Sequence, residues 1–235
     1  MKLQSIEYAD VDTSKIPAMG KNLDTIFCYN SDTHKTAYMN WRTRLVDTPR
    51  RQFVVLGEAY FSSAYSLIQQ CLNDNNDYKA DALIFPIMFD IVHGMEVYLK
   101  AINAVLSVEL KKERGITEGG HDLKALCATA RKLIIEYKLK NKNTTTDQMF
   151  LGIKVVERFV ANIYDKTEDM TFARYPMTKD KNGHFYIETF ENEVVDMELL
   201  AEQIVYVYKM LDFIFETQEM NLEIREEMSE MESYY

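Results

Sequence analysis

The chain has 235 residues, 47% of them hydrophobic and 27% charged, with a formal net charge of −10. That length admits one large domain, or one domain with additions; eight Gly and four Pro are too few for a turn-rich all-β fold and favour long helices. An acidic total disfavours a nonspecific nucleic-acid binder.

The charge is uneven along the chain. Residues 216–235 hold seven Glu and one Arg, a net of −6, whereas residues 101–145 hold nine Lys/Arg against five Asp/Glu, a net of +4. The basic stretch reads first as a solvated helix face with its loop. Cys28, Cys71 and Cys127 are odd in number, far apart and form no CxxC pair, which suits free thiols in a reducing cytoplasm and offers no zinc site. The N-terminus lacks the apolar core of a secretory signal, and Glu7, Asp10 and Asp12 come early.

Residues 1–48 show weak periodicity and read as a partly irregular arm; the run 23–30 fits either a strand or an extended segment. Thr48-Pro49 reads as a helix N-cap followed by Pro at the first helical position. A helix is predicted over about 49–73, with Phe53, Leu56, Tyr60, Ala64, Leu67 and Cys71 at helical spacing. The next helix, about 79–108, is apolar on nearly every side, as in the centre of a bundle. Pro86 should kink it or mark its true start. Its four ionisable residues Asp90, His93, Glu96 and Lys100 argue against a membrane span.

After a charged, glycine-bearing loop over 111–120, His121-Asp122 opens a helix predicted over about 121–139. Another follows over about 146–165. Asn182-Gly183 between two aromatic-rich runs is a hairpin signal, which predicts one small β-hairpin over 171–190. Asp196 suits the cap of a last helix, whose seam of Met197, Leu200, Ile204, Val207, Leu211 and Ile214 alternates steps of three and four. The domain limits on this reading are a 1–48 arm, a helical domain over 49–215, and an acidic helical extension or tail over 216–235.

Three constellations bear on chemistry. His93, Glu96 and Lys100 fall on one helical stripe, with Asp90 to the side. A buried carboxylate orients a neighbouring His and favours its charged form; the plainer alternative is a structural Glu96–Lys100 pair at i,i+4. Arg114 and His121, with six residues between them, supply the groups that metal-free RNA cleavage needs. One moves a proton from a ribose 2′-hydroxyl, and the other stabilises the charged phosphorane; the plainer alternative is a surface Arg in a loop and a His at a helix start. Arg174, between an aromatic and a Pro, serves either that site or the charge of Glu96. No metal-ligating pattern, phosphate-cradling loop or dinucleotide fingerprint occurs, so no metal and no cofactor is expected.

Phe85-Pro86, then His93, Glu96 and Lys100, then His121-Asp122-Leu123 with Leu126, and then Phe172 to Pro176 together resemble the HEPN superfamily over about 49–215. The resemblance implies a mainly α fold, a HEPN-like bundle of about five helices, often dimeric. Active members are metal-independent endoribonucleases, many of them in bacterial toxin–antitoxin or antiphage defence systems. Others are noncatalytic dimerisation, partner-binding or nucleic-acid-binding modules. Carried over by motif, His121, Arg114, His93, Glu96 and Arg174 are the catalytic candidates, with Lys100 and Asp122 supporting them; Asp90 joins the supporting residues from its place beside the helical stripe. A homodimer, an RNA substrate and an antitoxin or defence protein are the implied partners. Val92 stands where the pattern has an Arg, and Ala173 is an extra residue in the late motif.

Overall fold

The computed structural model describes residues 26–39, 46, 48–76, 78–113, 115 and 119–233. The chain divides into two units, 1–45 and 46–235. In the first, the described residues run without regular structure apart from a 3-10 turn at Thr33–Lys35, capped by Asp32. Arg114 lies outside the described residues, as do Trp41, Arg42 and Arg44.

The second unit is helical. Helix α1 spans Pro49–Asn73, with the Thr48 hydroxyl accepting from the Arg51 N–H and Pro49 in the first turn. Pro has no N–H to lose there, and its φ is already helical. Helix α2 spans Lys79–Glu109. It passes through Pro86, which forfeits one backbone bond, in the partly exposed first turns; the continuous buried run comes later, from Gly94 to Ser107. Helix α3, Leu123–Lys140, starts at the Asp122 cap. Helix α4, Thr144–Tyr164, starts at a reciprocal capping box of Asn143 and Thr146. A 3-10 turn at Met170–Ala173 and a one-turn helix α5 at Phe185–Glu188 precede helix α6, Met197–Ser233.

Helix α2 packs against α1, α3, α6 and the 170–173 turn, while α4 bridges α3 to α6 and α6 closes back on α1. The five long helices thus surround one core, with α2 at its middle. Ile87, Ile91, Met95, Leu99, Ile102 and Leu106 are fully buried along α2. By length and composition α2 would suit a membrane span, a test that the core helix of a soluble protein also passes. Here its second half, from Gly94 to Ser107, is buried among the other helices.

The acidic segment is built into this packing. Helix α6 runs on without a break through Ser233. Glu219 accepts from the Thr48 hydroxyl and from two nitrogens of Arg50, while Arg51 reaches both Glu216 and Glu223. The start of α1 is therefore fastened to α6 by charge as well as by apolar contact.

The expected hairpin over 171–190 does not form as two strands. Among the described residues there is one isolated antiparallel bridge, Met177 to Gly183. The reversal is made by the Lys181 N–H donating to the Thr178 carbonyl, with Lys181 in the left-handed region at φ 66°. Gly183 serves close approach instead, since a Cβ there would sit 2.8 Å from Ile187 Cγ2. The flanks coil because their aromatic residues are needed on one side. Phe185 and Tyr186 are consecutive, yet both pack inward, onto Phe172 and Phe85. A strand would send them to opposite faces.

Candidate functional site

Helix α2 carries Glu96 and Lys100 one turn apart, and both side chains are more than nine-tenths buried. The Lys100 ammonium donates to Glu96 Oε1 at 2.7 Å. That much is the i,i+4 pair the sequence suggests. The same oxygen is also reached from a residue distant in sequence, since His121 Nδ1 lies 2.8 Å from it. The other oxygen, Oε2, faces His93 Nδ1 at 3.7 Å. One carboxylate thus gathers two histidines and a lysine.

The loop before α3 brings His121 there. Gly119 and Gly120 both have positive φ, 105° and 64°, a backbone that residues with a Cβ adopt only at a cost. Asp122 then caps α3 by accepting from the Ala125 N–H, and it also accepts from the Tyr164 hydroxyl at the end of α4. The start of α3 is held from two sides, which fixes the residue just before it. Asp122 is therefore a positioning residue whose carboxylate is engaged by the Ala125 N–H and the Tyr164 hydroxyl. Burial raises its pKa, but the Tyr164 hydroxyl and the backbone N–H groups outweigh that and hold it below the usual carboxylate value.

The charge state of Glu96 follows from its surroundings. Burial pushes its carboxyl up; the contacts from His93, Lys100 and His121 outweigh it and hold the carboxyl at about 2. At neutral pH Glu96 is therefore an acceptor only. His121 must then present Nδ1–H to it, which leaves Nε2 as the second ring nitrogen. The His121 side chain is 84% exposed, so that nitrogen is open to solvent. A buried carboxylate that fixes the tautomer of an exposed imidazole is the arrangement of a general base.

His93 is held differently. Its ring stacks on Phe89 at 5.7 Å with an interplanar angle of 9°, and meets the edge of Tyr60 at 4.6 Å. The Arg174 guanidinium lies over the same Phe89 ring at 5.9 Å and over Tyr175 at 5.6 Å. Arg174, Phe89 and His93 so form a short file beside the cluster, and the charge partner of Glu96 is Lys100 rather than Arg174. Among the described residues Asp90 makes no ion pair; it is half-buried on the same helix.

The structure therefore unites what the sequence leaves as separate constellations. His93, Glu96, Lys100 and His121 meet, and Arg174 stands one aromatic ring away from His93. Tyr60 and Phe89 join the site without a signal of their own in the sequence. Tyr60 sits in the helical pattern of α1 and Phe89 in the apolar run of α2, and only the α1–α2 packing shows that both flank a histidine. Among the described residues no group of three His, Cys, Asp or Glu side chains is placed to hold a metal ion. No protein-family model, no curated protein and no solved structure matches the chain.

Proposed function

We propose that the chain is a HEPN-like endoribonuclease that needs no metal, acting in the cytoplasm as a homodimer within a bacterial toxin or antiphage defence system. The observation that carries the chemistry is the Glu96–His121 contact, 2.8 Å between a buried carboxylate and the Nδ1 of an exposed histidine. In this reading His121 Nε2 takes the proton of a ribose 2′-hydroxyl, whose oxygen attacks the adjacent phosphorus. The bond from phosphorus to the 5′ oxygen breaks, and protonated His93 returns a proton to that oxygen. The products are a 2′,3′-cyclic phosphate and a 5′-hydroxyl. Arg174 or Arg114 is the cation for the phosphorane charge. Lys100 is buried and balances Glu96.

The test is incubation of RNA with the full chain in EDTA, beside His121→Ala. Loss of cleavage on the order of a hundredfold or more is expected, with 2′,3′-cyclic ends on the wild-type products. Equal cleavage by both proteins, or none by either, overturns the assignment. The second outcome would favour a noncatalytic HEPN-like module that binds a partner or nucleic acid. The net charge of −10 and the self-sufficient Glu96–Lys100 pair support that alternative.

A further inference from the structure

From Met220 outward, α6 carries an apolar stripe that the other described residues leave exposed. Met220, Ile224, Met228 and Met231 are each about half exposed or more. Their steps of four, four and three keep them on one face of the helix. Glu223, Glu226 and Glu227 lie exposed beside them. At the turn between α3 and α4 there is a groove of about 700 Å³ whose floor includes Ile135, Leu139 and Phe150. Leu139 is 69% exposed and Ile135 42%. The rim is basic: Lys138 and Lys142 line it, and Lys138 and Lys154 each lie over the Phe150 ring. Its one carboxylate, Asp147, is already engaged by Lys138.

An acidic helix with an exposed apolar stripe and a basic groove with an apolar floor are complementary in both respects. They also stand at the same end of the bundle. The last turn of α3 meets the groove through Leu139, and through Tyr137 and Lys140 it lines a second hollow shared with Asn221, Ile224 and Arg225 of α6. We propose that the outer segment of α6 seats in the α3–α4 groove of a second copy, reciprocally, so that one two-fold axis at that end satisfies both grooves. The interface rests on the homodimeric reading above, and does not depend on whether the Glu96 cluster cleaves RNA.

The test uses the full chain and sedimentation velocity. Wild type sediments as a dimer. Lys142→Glu with Lys154→Glu makes the groove acidic, and Glu226→Lys with Glu227→Lys makes the helix basic. Each double variant alone is expected to dissociate at least about tenfold more readily, with an unchanged far-UV circular dichroism spectrum because all four positions are exposed. Mixed in equal amounts, the two variants are expected to form a heterodimer, since each acidic segment then meets a basic one at both contacts. Monomeric wild type would overturn the homodimer and this interface together. A dimer that neither variant weakens, or variants that fail to rescue each other on mixing, would overturn this interface alone.

Discussion

Glu96 and Glu219 are both buried carboxylates held by cations, and they differ in what those cations leave over. Glu219 is enclosed by the Thr48 hydroxyl and two nitrogens of Arg50. All of these are spent on fastening α1 to α6, and an arginine stays charged at any pH the fold survives. Glu96 holds a lysine and two histidines. An imidazole has a second nitrogen, so the carboxylate that fixes one end of His121 sets the other end free for proton transfer. The same physics, a buried negative charge with its partners, yields a clamp in one place and a candidate site in the other.

The comparison predicts a graded series. The largest effect is expected from Glu96→Leu, which leaves the Lys100 ammonium buried without a counter-charge. A loss of about 3–5 kcal/mol is expected in denaturant unfolding. Adding Lys100→Met should recover most of it, and a double variant no better than the single one would show that the pair is not what makes the removal costly. Arg50→Ala removes one cation from Glu219 but keeps the Thr48 hydroxyl, and Arg50 is partly open to water. A loss of about 1–3 kcal/mol is expected by the same measurement. Equal losses at both sites would erase the distinction between them.

The acid limb of stability sharpens it further. The Glu96 carboxyl lies at about 2 in the folded chain, against 4.5 for the ordinary group. A group whose folded pKa is lowered stabilises above its unfolded value, and this contribution fades as pH falls through the folded one. The Glu96 share should thus be fully present above pH 4.5 and drain away toward pH 2. Urea midpoints across that window should fall less steeply for Glu96→Gln than for wild type. A parallel course would mean that the cluster does not hold the carboxylate charged.

The smallest expected stability effect is at His121. The His121 ring is exposed, and it adds one hydrogen bond to a carboxylate that Lys100 already holds. His121→Ala should shift stability by no more than about 0.5 kcal/mol, read from the thermal midpoint, while removing cleavage. A large loss of stability would make His121 a structural latch instead.

Much of the fold is legible in the residues. Thr48-Pro49 marks the start of α1, Asp122 the start of α3, and the continuous apolar run of α2 announces a central helix. The stripe of His93, Glu96 and Lys100 is legible too, because a helix fixes which residues share a face. The hairpin expectation fails where local propensity meets tertiary demand. Asn182-Gly183 suggests two strands, but consecutive aromatics at 185 and 186 are both drawn into the core, and the chain coils to place them. The acidic end reads from its charge as an extension or tail. Only the facing Arg50 and Arg51 reveal that its first half is part of the packing.

The residues alone establish that this protein is helical, where its central helix lies, and that ionisable groups are set into that helix at the cost of desolvation. Those properties follow from periodicity and composition, which are local. The tertiary structure alone decided which groups satisfy those charges. It brought His121 across 25 positions of sequence onto Glu96, and set Tyr60 and Phe89 around His93. A buried charge states that it needs a partner, but the identity of that partner depends on which helices meet, and that is fixed by the packing of the whole core.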